Sequence, residues 1–170
     1  LLVGTVGATL YLLGVGYLFV ATGTLAISEL AVALAAAGPT PLVVTAFVLI
    51  AVGLGVKLAV FPLHAWKPDA YAAAPPAVAT LLATLGSTVA GYALARLTFG
   101  VFGAATLAAL PTLRTAALLV AAVSVVAGGL LAVRASDVRR LLAYSSVSQF
   151  GLFAVGLALA TPATVTGALV

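Results

Sequence analysis

Five apolar stretches, each long enough to cross a bilayer, run along this chain at roughly 1–22, 41–61, 75–97, 114–134 and 141–160. A hydrocarbon layer ~30 Å thick needs about 20 apolar residues in a helix. The stretches therefore predict an all-α polytopic membrane helix bundle, five spans plus a C-terminal stub. The punctuation agrees. Thr22-Gly23-Thr24 and Gly38-Pro39-Thr40 bracket the first connection, Pro75-Pro76 opens the third helix, Pro111 precedes the fourth and Thr161-Pro162 ends the fifth. Nothing resembles a soluble domain or a linker, so residues 1–170 read as one membrane domain. Gly4, Gly7, Gly14 and Gly16 in the first span, with Gly128-Gly129 in the fourth, fit close helix approach in lipid, where small residues let backbones touch. The start, LLVGTVGATLYLL, has neither Met nor a basic segment ahead of the apolar run, and the end, TPATVTGALV, reads as the opening turns of another helix. Both ends suggest an internal fragment.

Composition excludes several kinds of function. Charged residues are 6% of the chain against the ~25% usual in soluble domains, and the mean hydropathy is +1.35. The net charge of +4 is too scattered for a nucleic-acid footprint, which needs a clustered basic patch. With no Cys and one His, thiol chemistry, iron–sulfur ligation and a metal cluster held by this chain are excluded. No cofactor and no covalent catalysis are expected. The sparse basic residues report topology instead: Lys67, Arg134, Arg139 and Arg140 lie after the second and fourth spans, Arg96 and Arg114 on the other side. The positive-inside rule then places loops 62–74 and 135–140 in the cytoplasm of a multi-pass protein of the cell membrane.

Against that background one residue stands out. Lys57 lies inside the uncharged run PLVVTAFVLIAVGLGVKLAVF, residues 41–61. An ammonium at hydrocarbon depth costs roughly 2.5–3.5 kcal/mol on insertion scales, so such a group usually faces the protein interior or a water-filled path. The alternative is snorkelling, since only five residues, about 7.5 Å of helix, separate it from Pro62. Geometry alone leaves both open. Pro62 has no N–H and clashes with the carbonyl of Leu58, so regular hydrogen bonding should fail between about Leu58 and Pro62. His64 is a candidate proton carrier or a structural residue, Trp66 a candidate interface anchor, and Asp69 a candidate helix cap. Glu29 fits the first turn of an interfacial helix too short to span. In the fifth span Ser145, Ser146, Ser148 and Gln149 either line a hydrated path or join helices; the spacing of Ser145, Ser148 and Gln149 predicts one interior seam.

The segment GVKLAVFPLHAWKPDAYAAAPPAV, residues 55–78, resembles the signature of antiporter-like membrane subunits, G-x-K-x-x-x-x-P-x-H-x-W-L-P-D-A followed by A-P-x-x-V. ASDVRRLLAYSSVSQFG, residues 135–151, is similar to their D-[LIV]-K-R-[LV]-L-A-Y-S-S-[IV]-S-Q-[IML]-G, and ATGTLAISEL, residues 21–30, to A-T-G-T-L-N-x-x-[DE]-L. Such subunits occur in respiratory complex I (NADH-quinone oxidoreductase chains L, M and N) and in Mrp-type cation/proton antiporters. The resemblance covers essentially the whole chain. It would be the middle of a roughly fourteen-helix subunit, from the sixth helix into the eleventh, with three helices of one inverted repeat and two of the next.

The resemblance implies that Lys57 is a mid-membrane lysine relaying protons from a helix broken beside it. Its carboxylate partner would stand on a helix before residue 1, and changes in that pairing would shift the lysine's proton affinity. His64, Ser87, Thr88, Ser145, Ser148 and Gln149 would complete the relay. Two departures bear on it: Ser87 and Thr88 stand where many relatives have a lysine or histidine, and Lys67 replaces the usual Leu. A hydroxyl can hold a water wire but no resting charge. Expected partners are other membrane subunits, lipid and protons, with sodium as a second candidate ion. The competing reading is a non-transporting structural or assembly subunit, in which the relay has decayed. The residues do not choose between complex I and Mrp, and any enzyme activity would belong to the complete complex.

Overall fold

The computed structural model of the 170-residue chain describes residues 2–103, 108–160 and 167. Among them there are helices and no strand, and five helices are long and apolar enough to cross a membrane. We number them with two shorter ones in chain order: α1 Leu2–Thr22, α2 Ile27–Ala37, α3 Pro41–Leu58, α4 Trp66–Ala73, α5 Pro76–Phe102, α6 Pro111–Val133 and α7 Val138–Leu159. The predicted spans are the ones found. The expected stub after Thr161 lies outside the described residues, apart from Gly167.

Starts and stops follow local chemistry. The Thr40 hydroxyl accepts the Val43 N–H at 3.4 Å and Pro41 takes the first turn of α3, where a missing N–H costs nothing. The Asp137 carboxylate accepts the Arg139 N–H at 3.2 Å at the start of α7. Glu29 lies in the first turn of the 11-residue α2 and accepts a 2.7 Å hydrogen bond from Thr24, as an acid in a short non-spanning helix should. The third span is longer than the sequence suggests. It runs on to Phe102 through a π-helical turn at Thr98–Phe102, and a second π turn, Leu82–Gly86, immediately precedes Ser87. Turns of this kind insert a residue into a helix and re-aim the side chains beyond it.

Packing produces two groups joined at a break. In the first, α1 lies against α3, α3 against α5, and α2 against the end of α5. The stripe Val43, Ala46, Ile50, Leu54 and Leu58 of α3 is buried at its centre. The contact with α1 depends on glycine: a Cβ on Gly14 would come 2.7 Å from Ile50 Cγ1 and 2.9 Å from the Ala46 carbonyl, and one on Gly53 2.6 Å from the Gly7 carbonyl. Gly4 and Gly16, named with Gly7 and Gly14 from the sequence, meet nothing within 4 Å. In the second group α6 packs along α7, with Gly128 against the Ser148 backbone, and α4 rests on α7. Many large apolar side chains remain exposed, among them Leu12, Val20, Leu81, Leu85, Val126 and Leu130. On helices of this length and composition that surface suits lipid.

Candidate functional site

The centre of interest is the break between α3 and α4. The last turn of α3 closes at Leu58 because Pro62 cannot continue it. Ala59 takes the left-handed conformation, φ 61°, its N–H bonding to the Val56 carbonyl at 3.2 Å, while the Val60 N–H reaches the Gly55 carbonyl at 3.2 Å. This paired closure usually has glycine at the left-handed position, and an alanine there is uncommon. Side chains from elsewhere complete it. The Trp66 indole N–H donates to the Val56 carbonyl at 2.9 Å, so Trp66 helps close the break. The Phe61 N–H donates to Ser124 Oγ at 3.1 Å, and the fully buried Ser124 hydroxyl donates in turn to the Val147 carbonyl at 3.2 Å. One serine of α6 thus ties the break to α7. The interruption expected between Leu58 and Pro62 is present, and the N–H groups of Ala59, Val60 and Phe61 within it are partnered by protein.

His64 follows within the break. Its ring stacks on Phe61, centroids 5.2 Å apart, with Tyr144 of α7 at 6.3 Å. Its Nδ1 is buried and has no hydrogen-bond partner. Burial pushes the His64 imidazole below its ordinary proton affinity, favouring the neutral ring. A neutral imidazole with one free ring nitrogen is equipped to accept or pass a proton.

Lys57 is exposed on the flank of α3. By helical period it falls one heptad beyond Ile50 and two beyond Val43, on a stripe buried at those two residues. Among the described residues nothing covers the stripe at Lys57, so the interior position expected from insertion cost is not formed by them alone.

The buried lysine is another one. Lys67, in the first turn of α4, has 0% exposure and is the largest of the fully buried side chains. Its ammonium donates to Ser87 Oγ at 3.1 Å, about three turns into α5, and lies 4.9 Å from the ring centre of Phe150 of α7 and 5.5 Å from that of Tyr71. The two departures from the resembled pattern, Lys67 and Ser87, are therefore hydrogen-bond partners. Cation–π contacts offset part of the lost hydration. Burial still pushes the Lys67 ammonium down to about 8, since desolvation disfavours the charged form. The Tyr71 hydroxyl is pushed up by burial, against a hydrogen bond with Ser87 that works the other way.

The arm that carries Lys67 is fixed to α7 from outside as well. Arg139 donates to the Ala72 and Ala74 carbonyls at 3.3 and 3.1 Å, covering the C-terminal end of α4. Asp69 stands in the first turn of α4 and makes no capping bond, the N-cap being Ala65; it pairs instead with Arg140 of α7 at 3.0 Å.

The remaining sequence candidates separate. Thr88 is exposed while Ser87 is buried. In α7, Ser148 donates to the Val125 carbonyl of α6 at 3.0 Å and so joins two helices; Ser146 bonds within its own helix to the Ala143 carbonyl at 2.7 Å. Ser145 is half-buried and Gln149 exposed. Residues 148 and 149 are about 100° apart on a helix, so the seam with α6 that takes Ser148 leaves Gln149 off it. Ser124 is not among the sequence candidates. The signal that could have found it is its position as a lone polar side chain in ALLVAAVSVVAGG, since in lipid such a group must find a partner.

Among the described residues no group of His, Cys, Asp or Glu is arranged to hold a metal ion.

Comparison with known proteins gives a consistent picture. The family model described as "NADH:quinone oxidoreductase/Mrp antiporter, TM" matches residues 1–170. The chain is 43% identical over 169 residues to NADH-quinone oxidoreductase subunit N of Desulforudis audaxviator, covering 99% of this chain and 33% of the relative. It is 36% identical over 167 residues to F(420)H(2) dehydrogenase subunit N of Methanosarcina mazei, with 98% and 33% covered. Among solved structures, it superposes on a chain of the Mrp complex from Dietzia sp. with TM-score 0.85 and 29% identity, covering 98% of this chain and 30% of that one. A chain of the archaeal membrane-bound sulfane sulfur reductase gives TM-score 0.81 and 34% identity, with 92% and 31% covered. The chain spans about a third of the length of these relatives.

Proposed function

This chain belongs to the NADH:quinone oxidoreductase/Mrp antiporter family of membrane subunits, and from that premise we propose that the complete protein translocates protons as the N-type membrane subunit of a quinone-reducing respiratory complex. The observation that carries the proposal is the interrupted span: α3 ends in mid-chain beside Lys57, and the break holds an unpartnered imidazole nitrogen on His64. Higher identity to N subunits of redox complexes than to the Mrp structure favours the redox-driven assembly over the antiporter.

In this reading the uncovered stripe at Lys57 faces the rest of the subunit, which supplies a carboxylate. An ammonium left against lipid would carry about 2.5–3.5 kcal/mol of insertion cost. Bringing the carboxylate close raises the lysine's proton affinity, and withdrawing it releases the proton toward His64 and the polar groups beyond. Ser87, Thr88, Ser145, Ser148 and Gln149 hold water along that route, and sodium remains a second ion that the same groups could pass. The connections at 62–74 and 135–140 lie on the cytoplasmic side, with Lys67 of the first enclosed between helices rather than facing water. The competing structural role draws support from Ser148, whose hydroxyl bridges α6 and α7.

The two readings separate in vesicles that carry the complete complex, energised by NADH, with proton movement followed by a pH-sensitive dye. Lys57→Ala should abolish proton movement attributable to this subunit while the assembled complex persists in the membrane. Wild-type proton yield in that variant would refute the relay.

A further inference from the structure

The transport reading above uses Lys57, yet the residue this chain encloses completely is Lys67. A lysine placed there for packing alone would be hard to explain. Its ammonium has three donors, one of which meets Ser87 Oγ at 3.1 Å, and the ring centres of Phe150 and Tyr71 lie 4.9 and 5.5 Å from it. The one ion pair among the described residues joins Arg140 to Asp69, both with exposed side chains. A leucine would fill the same space with no charge to desolvate.

We propose that Lys67 is a proton-carrying group of the transport path, holding a proton on its ε-nitrogen where α4, α5 and α7 meet and exchanging it through the Ser87 hydroxyl. The proposal rests on the reading of the complete protein as a proton translocator. In the loaded state the ammonium donates to Ser87 Oγ. On release that proton moves to Ser87 Oγ as the hydroxyl gives its own proton to an adjoining water, leaving a neutral amine and an intact serine. Reloading reverses the sequence. The surroundings suit a reversible carrier: two aromatic faces stabilise the ammonium, whereas a neighbouring carboxylate would hold the proton too firmly.

The two states are both accessible under mild conditions. Burial places the Lys67 titration at about 8, so it is charged below that pH and neutral above it. The groups that face it are Tyr71 of its own helix, Ser87 of α5 and Phe150 of α7. Of these only Tyr71 titrates, and burial keeps its hydroxyl protonated across that range. Asp69 lies on α4 but is engaged by Arg140.

The test uses the complete complex in the same energised vesicles, with assembly and electron transfer measured on each preparation. Lys67→Arg keeps a cation that does not deprotonate, and Lys67→Leu removes it. Both should lose proton movement attributable to this subunit. Lys67→Leu combined with Ser87→Lys returns an ammonium to the same place from the opposite helix and should restore it. In the wild type, the pH profile of proton movement should carry an inflection near 8 that the double variant shifts and Lys67→Arg abolishes. Should Lys67→Leu fail to assemble, Lys67→Arg and the double variant still decide. Normal proton movement and an unchanged pH profile in Lys67→Arg overturn the proposal while the transport reading stands. A wild-type complex whose proton yield is untouched by Lys57→Ala but lost in Lys67→Arg overturns the Lys57 relay and sustains Lys67. No proton movement through the wild-type subunit overturns both.

Discussion

Replacing Ser124 by Ala removes one oxygen, and the structure indicates what that oxygen holds. Ser124 Oγ accepts the Phe61 N–H at 3.1 Å and donates to the Val147 carbonyl at 3.2 Å, at 0% exposure. The two partners lose unequally. Val147 lies inside α7, where its carbonyl also accepts the ordinary helical bond, so it keeps a donor. Phe61 lies between helices, and its N–H has no such second partner. Leaving the part-buried Phe61 N–H unsatisfied costs up to the ~1–3 kcal/mol of a buried donor, whereas the net value of the lost bond to Val147 is nearer ~0.5–1.5 kcal/mol. The first effect dominates, and it falls on the break rather than on α7. Hydrogen–deuterium exchange on the complete subunit in detergent is the direct assay. At about tenfold per 1.4 kcal/mol, exchange at the Phe61 amide should quicken roughly fivefold to a hundredfold in Ser124→Ala. Amides in the middle of α7 should change far less. If the Phe61 amide exchanges at the wild-type rate, Ser124 does not hold the break and its hydrogen bonds are incidental.

Two further substitutions probe the packing that positions the site. Gly14→Ala forces a Cβ to within 2.9 Å of the Ala46 carbonyl, so α1 must move off α3 and denaturation in graded detergent should show a loss of about 1–3 kcal/mol; Gly16→Ala, in open space, should be neutral or gain up to about 1 kcal/mol of helix propensity. Arg114 donates to the Ala158 and Leu159 carbonyls at 3.0 and 3.1 Å, and Arg114→Gln should fray the end of α7 by about 1.5–3 kcal/mol, read as faster exchange of its last-turn amides with the middle of the helix unaffected.

How much of the fold is legible in the sequence depends on whether a feature is settled locally. An apolar run of about 20 residues has one outcome in lipid, so the five spans follow from the order of residues alone. Pro62 breaks a helix by its own covalent geometry, and the end of α3 at Leu58 follows from it. The run of the third span on to Phe102 is not legible in this way, because no local residue signal marks the π turn at Thr98–Phe102, which packs against α2. The fate of the lysines is the least local of all. An apolar neighbourhood in sequence singles out Lys57, yet burial is decided by what stands opposite. The fold puts α5 and α7 opposite Lys67 and none of the described residues opposite Lys57. Two departures from the resembled pattern, 20 positions apart in the chain, look in the sequence like unrelated changes. They are a single contact, Lys67 Nζ to Ser87 Oγ, made possible because α4 folds back onto α7 and Arg139 and Arg140 keep it there. The resemblance implies a cation at position 87 and an apolar residue at 67, this chain has the reverse, and the paired exchange of residues 67 and 87 is the experiment that treats the two positions as one contact.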